Sequence, residues 1–299
     1  MFKSGFINII GRPNVGKSSL MNVLVGEKMS IITNKPQTTR HRIKGIVSDA
    51  DCQMIFSDTP GYIENPKYKM QEVMNQFVKS TFEDSDLILF VVSVDEKYDE
   101  SDLILNEIKK NNNAEYPVFL IVNKCDKIEQ NKLLTLLEWW KSVFEFKEIF
   151  PISTINNVGI SELLNSIKKY LPEGPKYYPD DQLTDRSERF FVSEIIREQI
   201  LVKYHQEIPY HCEIAIESFI VQTSPKKIVK IKALIYVSKD SHKNIIIGRG
   251  GKDIKQIGIE SRKIIENYLD SPVYLELVVK VKENWRDSDL NLKQFGYFA

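Results

Sequence analysis

Cysteine is scarce in this 299-residue chain. Cys52, Cys125 and Cys212 stand far apart, without the close pairs that build a disulfide framework or a zinc site. That usage fits a reduced, intracellular setting. Neither sign of charge is in excess, since 41 basic residues meet 41 acidic ones. No overall field pulls the chain onto a polyanion, so any such site must be local. No apolar run approaches the ~20 residues needed to span a bilayer. Met1 to Ile10 holds a short apolar stretch that leads straight into a glycine-rich motif with no cleavage region, so no signal peptide is expected. Repeats and low-complexity tracts are missing, and the four histidines (His41, His205, His211, His242) lack ligand spacing. What remains is an ordinary globular composition, 42% hydrophobic and 27% charged. The length suits two domains of roughly 150 residues each.

Up to about Tyr170, apolar runs alternate with amphipathic stretches. Gly5–Ile10, Cys52–Phe56, Leu87–Val94, Val118–Val122 and Ile149–Ile152 read as strands, and Lys17–Val25, Lys69–Asp84, Asp102–Lys110, Asn131–Phe144 and Ser161–Tyr170 as helices. This rhythm predicts βαβ units and a mostly parallel α/β sheet with helices on both faces. Arg42–Ala50 adds an antiparallel edge strand, because almost no loop separates it from Cys52. Leu171–Asp181, LPEGPKYYPDD, reads as a linker by composition. The expected division is a first domain at 1–170, a linker at 171–184, and a small α+β domain with a C-terminal extension at 185–299. In the second domain Ser187–Tyr204 is helical, Cys212–Val221 and Ile228–Val237 alternate as strands, Ile254–Leu269 is helical, and Val273–Lys282 alternates again.

Gly11, Arg12, Pro13, Asn14, Val15, Gly16, Lys17 and Ser18 match GxxxxGK[ST] between a strand and an apolar-faced helix. Chance supplies such a match in roughly 1% of chains of this length. Glycines let backbone N–H groups converge on phosphate oxygens, and the helix N-terminus favours anions. Lys17 reaches the β- and γ-phosphates, while the Ser18 hydroxyl is a hard ligand for Mg²⁺.

Asn123-Lys124-Cys125-Asp126 follows the strand Val118–Val122. Its Asp126 carboxylate can accept from the ring N–H and exocyclic amine of guanine, whereas adenine would leave it unpaired. Asn123 ties the base loop to the phosphate loop, and the Lys124 stem can lie along the purine. Asp58-Thr59-Pro60-Gly61 completes the set: Asp58 holds Mg²⁺ through water, and the Gly61 N–H senses the γ-phosphate. Within Gln37–His41 a threonine hydroxyl can close the Mg²⁺ shell, Thr39 being the first choice and Thr38 the reserve. Ser153 and Thr154 offer backbone N–H groups to the guanine oxygen. These motifs, in this order, define a GTPase domain that binds GTP and GDP.

The familiar water-orienting glutamine after DxxG is replaced by Tyr62, so no side chain is assigned as the catalyst in cis and slow intrinsic turnover is expected. Asn14 and Thr39 are candidate supports. A K⁺ ion near Asn14, or a partner ordering Ile31–His41, would meet the transition-state charge.

Ile245-Ile246-Ile247-Gly248-Arg249-Gly250-Gly251-Lys252 places GxxG between two helical segments, a loop that can pinch a nucleic-acid backbone. Around it, from Lys226 to Lys263, eleven basic residues, among them Lys243, Lys252 and Lys255, face only three acidic ones. Counterion release on phosphate binding thus has a local site. Ile245–Ile247 reads as core-facing helix, although an apolar floor beside a basic loop suits single-stranded bases. Of Trp139 and Trp140, one is expected to pack and the other to be exposed.

Both motif sets on one chain resemble the bacterial Era family, a Ras-like P-loop domain followed by a type II KH domain. The likeness rests on GRPNVGKS at Gly11–Ser18, QTTRH at Gln37–His41, DTPG at Asp58–Gly61, NKCD at Asn123–Asp126, TDRSERF at Thr184–Phe190, IIGRGG at Ile246–Gly251 and PVYLEL at Pro272–Leu277. It implies binding near the 3′ end of 16S ribosomal RNA, a role in assembling the 30S subunit, and a cytoplasmic protein that also visits the inner membrane surface; a monomer is expected. The family also lacks the catalytic glutamine. Thr154 departs from the Ser-Ala pair common there. A different reading is an RNA-binding assembly scaffold with vestigial hydrolysis. A GTP-dependent RNA-modification factor is disfavoured, since no catalytic cysteine, methyl-donor or metal constellation is present.

Overall fold

Runs rich in β-branched and aromatic residues form strands here, and the stretches of 3.6-residue periodicity form the helices packed on them. The computed structural model describes residues 1–111 and 116–298, so 112–115 of the expected first domain and 299 of the second lie outside the described residues. It divides into two units, Met1–Pro66 with Gln71–Asp185, and Lys67–Met70 with Arg186–Ala299.

In chain order the elements up to residue 170 are β1 (Lys3–Gly11), α1 (Lys17–Val25), β2 (Ile43–Ser48), β3 (Cys52–Asp58), α2 (Lys69–Ser80), β4 (Leu87–Ser93), α3 (Leu103–Lys110), β5 (Val118–Asn123), α4 (Gln130–Val143), β6 (Glu148–Pro151) and α5 (Ile160–Tyr170). The sheet order is β2-β3-β1-β4-β5-β6. β2 runs antiparallel to β3, and every other pairing is parallel. β3, β4 and β5 are buried along their whole length, as strands covered on both faces must be. Phe90, Leu120 and Trp140 share one core cluster, and half-buried Trp139 packs on Trp140 with ring centroids 4.8 Å apart.

Two expectations change here. α2 stops at Ser80 instead of running to Asp84, because buried Asn8 donates from Nδ2 to the Thr81 carbonyl (2.9 Å), Asp84 (3.1 Å) and Ser85 (2.7 Å), holding those residues in turns. The proline-rich segment after α5 is docked on the first unit. Ser4 donates from its N–H to the Pro172 carbonyl (3.1 Å) and from its hydroxyl to that of Pro175 (2.7 Å). Gln53 accepts from the N–H groups of Tyr177 (2.8 Å) and Tyr178 (3.0 Å). Ile46 donates to the Leu183 carbonyl at 2.8 Å, and the Thr184 hydroxyl to that of Lys44 at 2.7 Å. Extended residues with free carbonyls are thus used to close the β2 edge and to satisfy buried polar side chains.

The second unit contains α6 (Glu188–Lys203), β7 (Cys212–Gln222), β8 (Ile228–Val237), α7 (Asp240–Ile247), α8 (Lys252–Leu269), β9 (Val273–Val281) and α9 (Asp289–Gln294). Ser187 caps α6 by accepting from the Phe190 N–H. β7 pairs antiparallel with β8, and β8 parallel with β9. Val192, Ile196, Ile200, Ile231, Ile235, Ile246 and Ile265 meet in the core between this sheet and its helices. The C-terminal extension is part of the fold: Trp285, Leu292 and Tyr297 are fully buried, and the Tyr297 hydroxyl donates to Glu213 at 2.7 Å.

Candidate nucleotide and RNA sites

The loops that carry the nucleotide motifs all follow C-terminal ends of parallel strands, where open α/β sheets place their ligands. Residues 11–16 leave β1, Asp58 ends β3, Asn123 ends β5, and Ser153 follows β6. They surround a cleft of about 420 Å³ lined by Asn14, Lys17, Ser18, Thr39, Gly61, Asn123, Lys124 and Thr154.

The phosphate loop is held from below and behind. Lys17 is buried and donates to the carbonyls of Gly11 (3.0 Å) and Arg12 (2.8 Å). Burial pushes its ammonium down to about 8, opposed by the nearby Asp58 and Glu96 charges. An incoming polyphosphate would favour the charged form further. Gly16 sits at φ 102°, and a Cβ there would collide with the Asn123 amide. That amide donates to the Val15 carbonyl at 3.0 Å, while the Asn123 side-chain oxygen accepts from the N–H groups of Lys124 (2.8 Å) and Thr154 (3.3 Å). One buried side chain therefore joins the phosphate loop, the base loop and the loop after β6. Lys124 adds a span of its own, donating to the Asn14 carbonyl at 3.0 Å and pairing with Asp95 at 3.1 Å.

The remaining motif residues fall into distinct places. The Ser18 hydroxyl lies 2.8 Å from the Thr39 hydroxyl and donates to Asp58 Oδ2 at 2.7 Å, and Thr39 donates to the same oxygen at 3.3 Å. Thr38 turns away, to Thr33 and the Lys35 carbonyl, both at 2.6 Å. Among the described residues Asp58 Oδ1 is buried with no hydrogen-bond partner, and burial raises the carboxyl's pKa against the pull of Lys17, Ser18 and Thr39. Two hydroxyls and one carboxylate, one of whose oxygens is unsatisfied, fit a small hard cation such as Mg²⁺. Among the described residues no cluster of three or more His, Cys, Asp or Glu offers a softer alternative.

Asp126 is exposed and accepts from the Ser153 hydroxyl at 2.5 Å. Cys125 lies beside it in a short 3-10 turn. Arg12 points out of the cleft: its guanidinium donates to Asp102 at 2.6 Å and to the Lys97 carbonyl at 3.0 Å, over the Tyr98 ring. Thr59 donates to the Ile9 carbonyl at 2.8 Å. Gly61 abuts Pro13, which follows Arg12 in the loop, and Pro60 is buried just before it. Tyr62 packs against the core cluster of α3 and α4. The Asn14 amide donates to the Asn34 carbonyl at 3.3 Å.

In the second unit Gly248, Gly250 and Gly251 all adopt positive φ, with Arg249 and Lys252 exposed between and after them. A Cβ at Gly248 would strike the Asp253 carboxylate, whereas those at Gly250 and Gly251 would meet open space. Lys243 is half-buried on α7 and Lys255 exposed on α8. A groove of about 330 Å³ runs between α8 and β9, floored by Ile254, Ile259, Leu275 and Leu277 and rimmed by Lys255, Arg262 and Tyr274. The apolar floor is therefore here and not at Ile245–Ile247, where Ile246 is in the core and only Ile245 is exposed. Sequence reading missed it because it combines one face of α8 with an edge strand, a pairing only the fold creates. The PVYLEL run that supplies Tyr274, Leu275 and Leu277 was its one visible trace.

These two sites define a P-loop GTPase joined to a KH domain. A family model described as "50S ribosome-binding GTPase" matches residues 6–124, and one described as "KH domain" matches 207–286. GTPase Era of Lactobacillus helveticus is 50% identical over 296 residues, covering 99% of this chain and 96% of that protein. GTPase Era of Clostridium kluyveri is 48% identical over 298 residues, covering 99% and 100%. Two solved structures match with a TM-score of 0.92 at 37% identity across 100% of both chains: Era in complex with MgGDPNP and nucleotides 1506–1542 of 16S ribosomal RNA, and a single-substitution variant of Aquifex aeolicus Era bound to GDP.AlF4⁻. The chain belongs to the Era family, and it is a GTP hydrolase.

Proposed function

We propose that this GTPase binds 16S ribosomal RNA near its 3′ end and assists assembly of the 30S subunit, with GTP or GDP setting how it engages RNA. The observation that carries the reading is the full-length likeness, at TM-score 0.92, to an Era structure holding both MgGDPNP and nucleotides 1506–1542 of 16S ribosomal RNA. In this reading the protein is a cytoplasmic monomer that makes peripheral visits to the inner membrane. Among the described residues no helix is long and apolar enough to cross a membrane.

The amides of residues 11–18 and Lys17 then grip the β- and γ-phosphates, and Asp126 vets the purine with help from the loop of Ser153 and Thr154. Ser18, Thr39 and Asp58 hold Mg²⁺, which neutralises charge on the phosphate oxygens. The Gly61 N–H faces the γ-phosphate. Tyr62 has no amide to orient water, so intrinsic turnover is slow and stimulation comes from outside, through K⁺ near Asn14 or an RNA-bound partner that orders residues 31–41. Gly248–Lys252, Lys243 and Lys255 take the RNA backbone.

Three measurements test this. Addition of the 16S segment 1506–1542 should change GTP turnover, and Lys17→Ala should lose GTP binding and with it any effect of added GTP on RNA affinity. Turnover indifferent to RNA would leave the scaffold reading. Hydrolysis left unchanged by replacing K⁺ with Na⁺, in the wild type and in Asn14→Ala alike, would remove the cation.

A further inference from the structure

The sheet face of the second unit opposite α6, α7 and α8 is divided in character. Over one part, charges cancel: Lys232 lies 3.0 Å from Glu217 and 3.6 Å from Glu276, and Lys280 lies 3.7 Å from Glu217. The part toward the β7–β8 hairpin differs. Residues 218–231 contain Lys226, Lys227 and Lys230 and no acidic residue. All three are exposed, and their side chains make no hydrogen bond or ion pair among the described residues. Beside Lys230, and on the same face of the sheet, Ile220 is 57% exposed.

Strand register links this patch to the groove. Ile220 faces Lys230 across β7 and β8, and Lys230 faces Tyr274 across β8 and β9. At ~4.8 Å between strands the row is on the order of 10 Å long, about the reach of one or two nucleotides. Tyr274, 57% exposed, both ends this row and rims the groove beside α8.

We propose that this row is a second RNA-contact surface, over which a single strand leaving the groove at Tyr274 passes Lys230 and reaches Lys226 and Lys227. The proposal rests on the RNA-binding reading above. The Tyr274 ring offers a face for a base, and three lysines in a segment with no acidic residue take backbone phosphates with release of counterions. Lysines beside an exposed isoleucine also suit an anionic lipid surface, but continuity with the groove through Tyr274 favours RNA.

The test compares a single strand of about eight nucleotides from the 16S segment, enough to fill the groove, with the same strand extended at either end. Wild-type protein should bind one of the two extended strands roughly ten-fold more tightly, with a salt slope steeper by about two, given ~0.7 per phosphate on a single strand. Lys226→Ala/Lys227→Ala/Lys230→Ala should lose that gain and keep the affinity for the short strand. A gain that survives the triple substitution, or extension at neither end bringing a gain, overturns the proposal. So does loss of binding to phosphatidylglycerol vesicles with the RNA gain intact, which assigns the row to lipid. Wild type that fails to hold the short strand refutes RNA binding itself, a failure distinct from the others.

Discussion

The side-chain amide of Asn123 donates to the Val15 carbonyl at 3.0 Å, binding the end of β5 to the middle of the phosphate loop. Because the same residue accepts from the N–H groups of Lys124 and Thr154, its loss releases three segments at once. Asn123→Ala leaves buried backbone groups unpaired, at about 1–3 kcal/mol each. GTP affinity should fall by one to two orders of magnitude, with melting lowered by several degrees. Calorimetric titration alongside thermal unfolding measures both; full affinity would show that the bridge is incidental.

Arg12 and Asp102 form a second brace, from the phosphate loop to the N-terminus of α3. Asp102 Oδ2 accepts from Arg12 while Oδ1 caps the helix at the Leu105 N–H. Asp102→Asn keeps the cap and removes the charge, so it isolates the brace. Arg12→Ala and Asp102→Asn should each cost about 1 kcal/mol of stability, and the double variant should cost little more than either. In GTP turnover, KM should rise more than kcat falls. Strictly additive losses would mean that the two side chains do not act as a pair.

His211 and His242 meet edge to face with centroids 4.6 Å apart in the second unit. Burial, with Arg286 and Lys239 adding to it against Glu207, pushes His211 down to about 4, and burial likewise lowers His242. The native state therefore holds both rings neutral. The unfolded chain, with histidine near 6.5, takes up protons first as pH falls. Stability should be level above pH 6.5 and drop between 6.5 and 4, by on the order of 1–2 kcal/mol for His211, allowing for its partial solvent access. His211→Gln, which can keep a hydrogen bond to Ser238, should flatten that decline in denaturant melts. An unaltered slope would assign the acid sensitivity to other groups.

Asp126 is the exposed carboxylate beside Ser153, and in the proposed reading its two acceptor oxygens meet a donor pair on guanine. Asp126→Asn substitutes a donor for one acceptor. Preference should move toward xanthine nucleotides, with GTP weakened by about 1–3 kcal/mol. Competition binding with GTP and XTP checks it, and an unchanged preference removes Asp126 from base recognition.

The alternation of apolar runs made the strands, the helices and the antiparallel edge strand legible, because each is encoded within ten or so neighbouring residues. The nucleotide motifs were legible for the same reason, since each loop is contiguous. Whatever depends on residues brought together from afar was not. Composition marked 171–184 as a connector but could not show that Gln53 and Ser4 would hold it down. Spacing allowed Thr38 or Thr39 to face Ser18, and only the turn at Lys35 separates them. The His211–His242 contact, the burial of Tyr297 and the groove between α8 and β9 join positions 31 or more residues apart or one helix face to one strand, which no periodicity reports.

The GxxG loop separates two effects that substitution often mixes. At Gly251, with φ 76°, an added Cβ meets nothing, so Gly251→Asp brings backbone strain of about 1 kcal/mol and a negative charge where phosphate approaches. RNA affinity should drop at least ten-fold, with GTP binding untouched and the fold retained. At Gly248 the added atom strikes Asp253, whose carboxylate also pairs with Lys203 at 2.9 Å. Gly248→Ala should therefore lower the melting temperature as well as RNA affinity. Filter binding with the 16S segment and thermal denaturation of both variants separate charge from packing. Equal RNA affinity in Gly251→Asp would mean the strand does not run over this loop, whatever happens at Gly248.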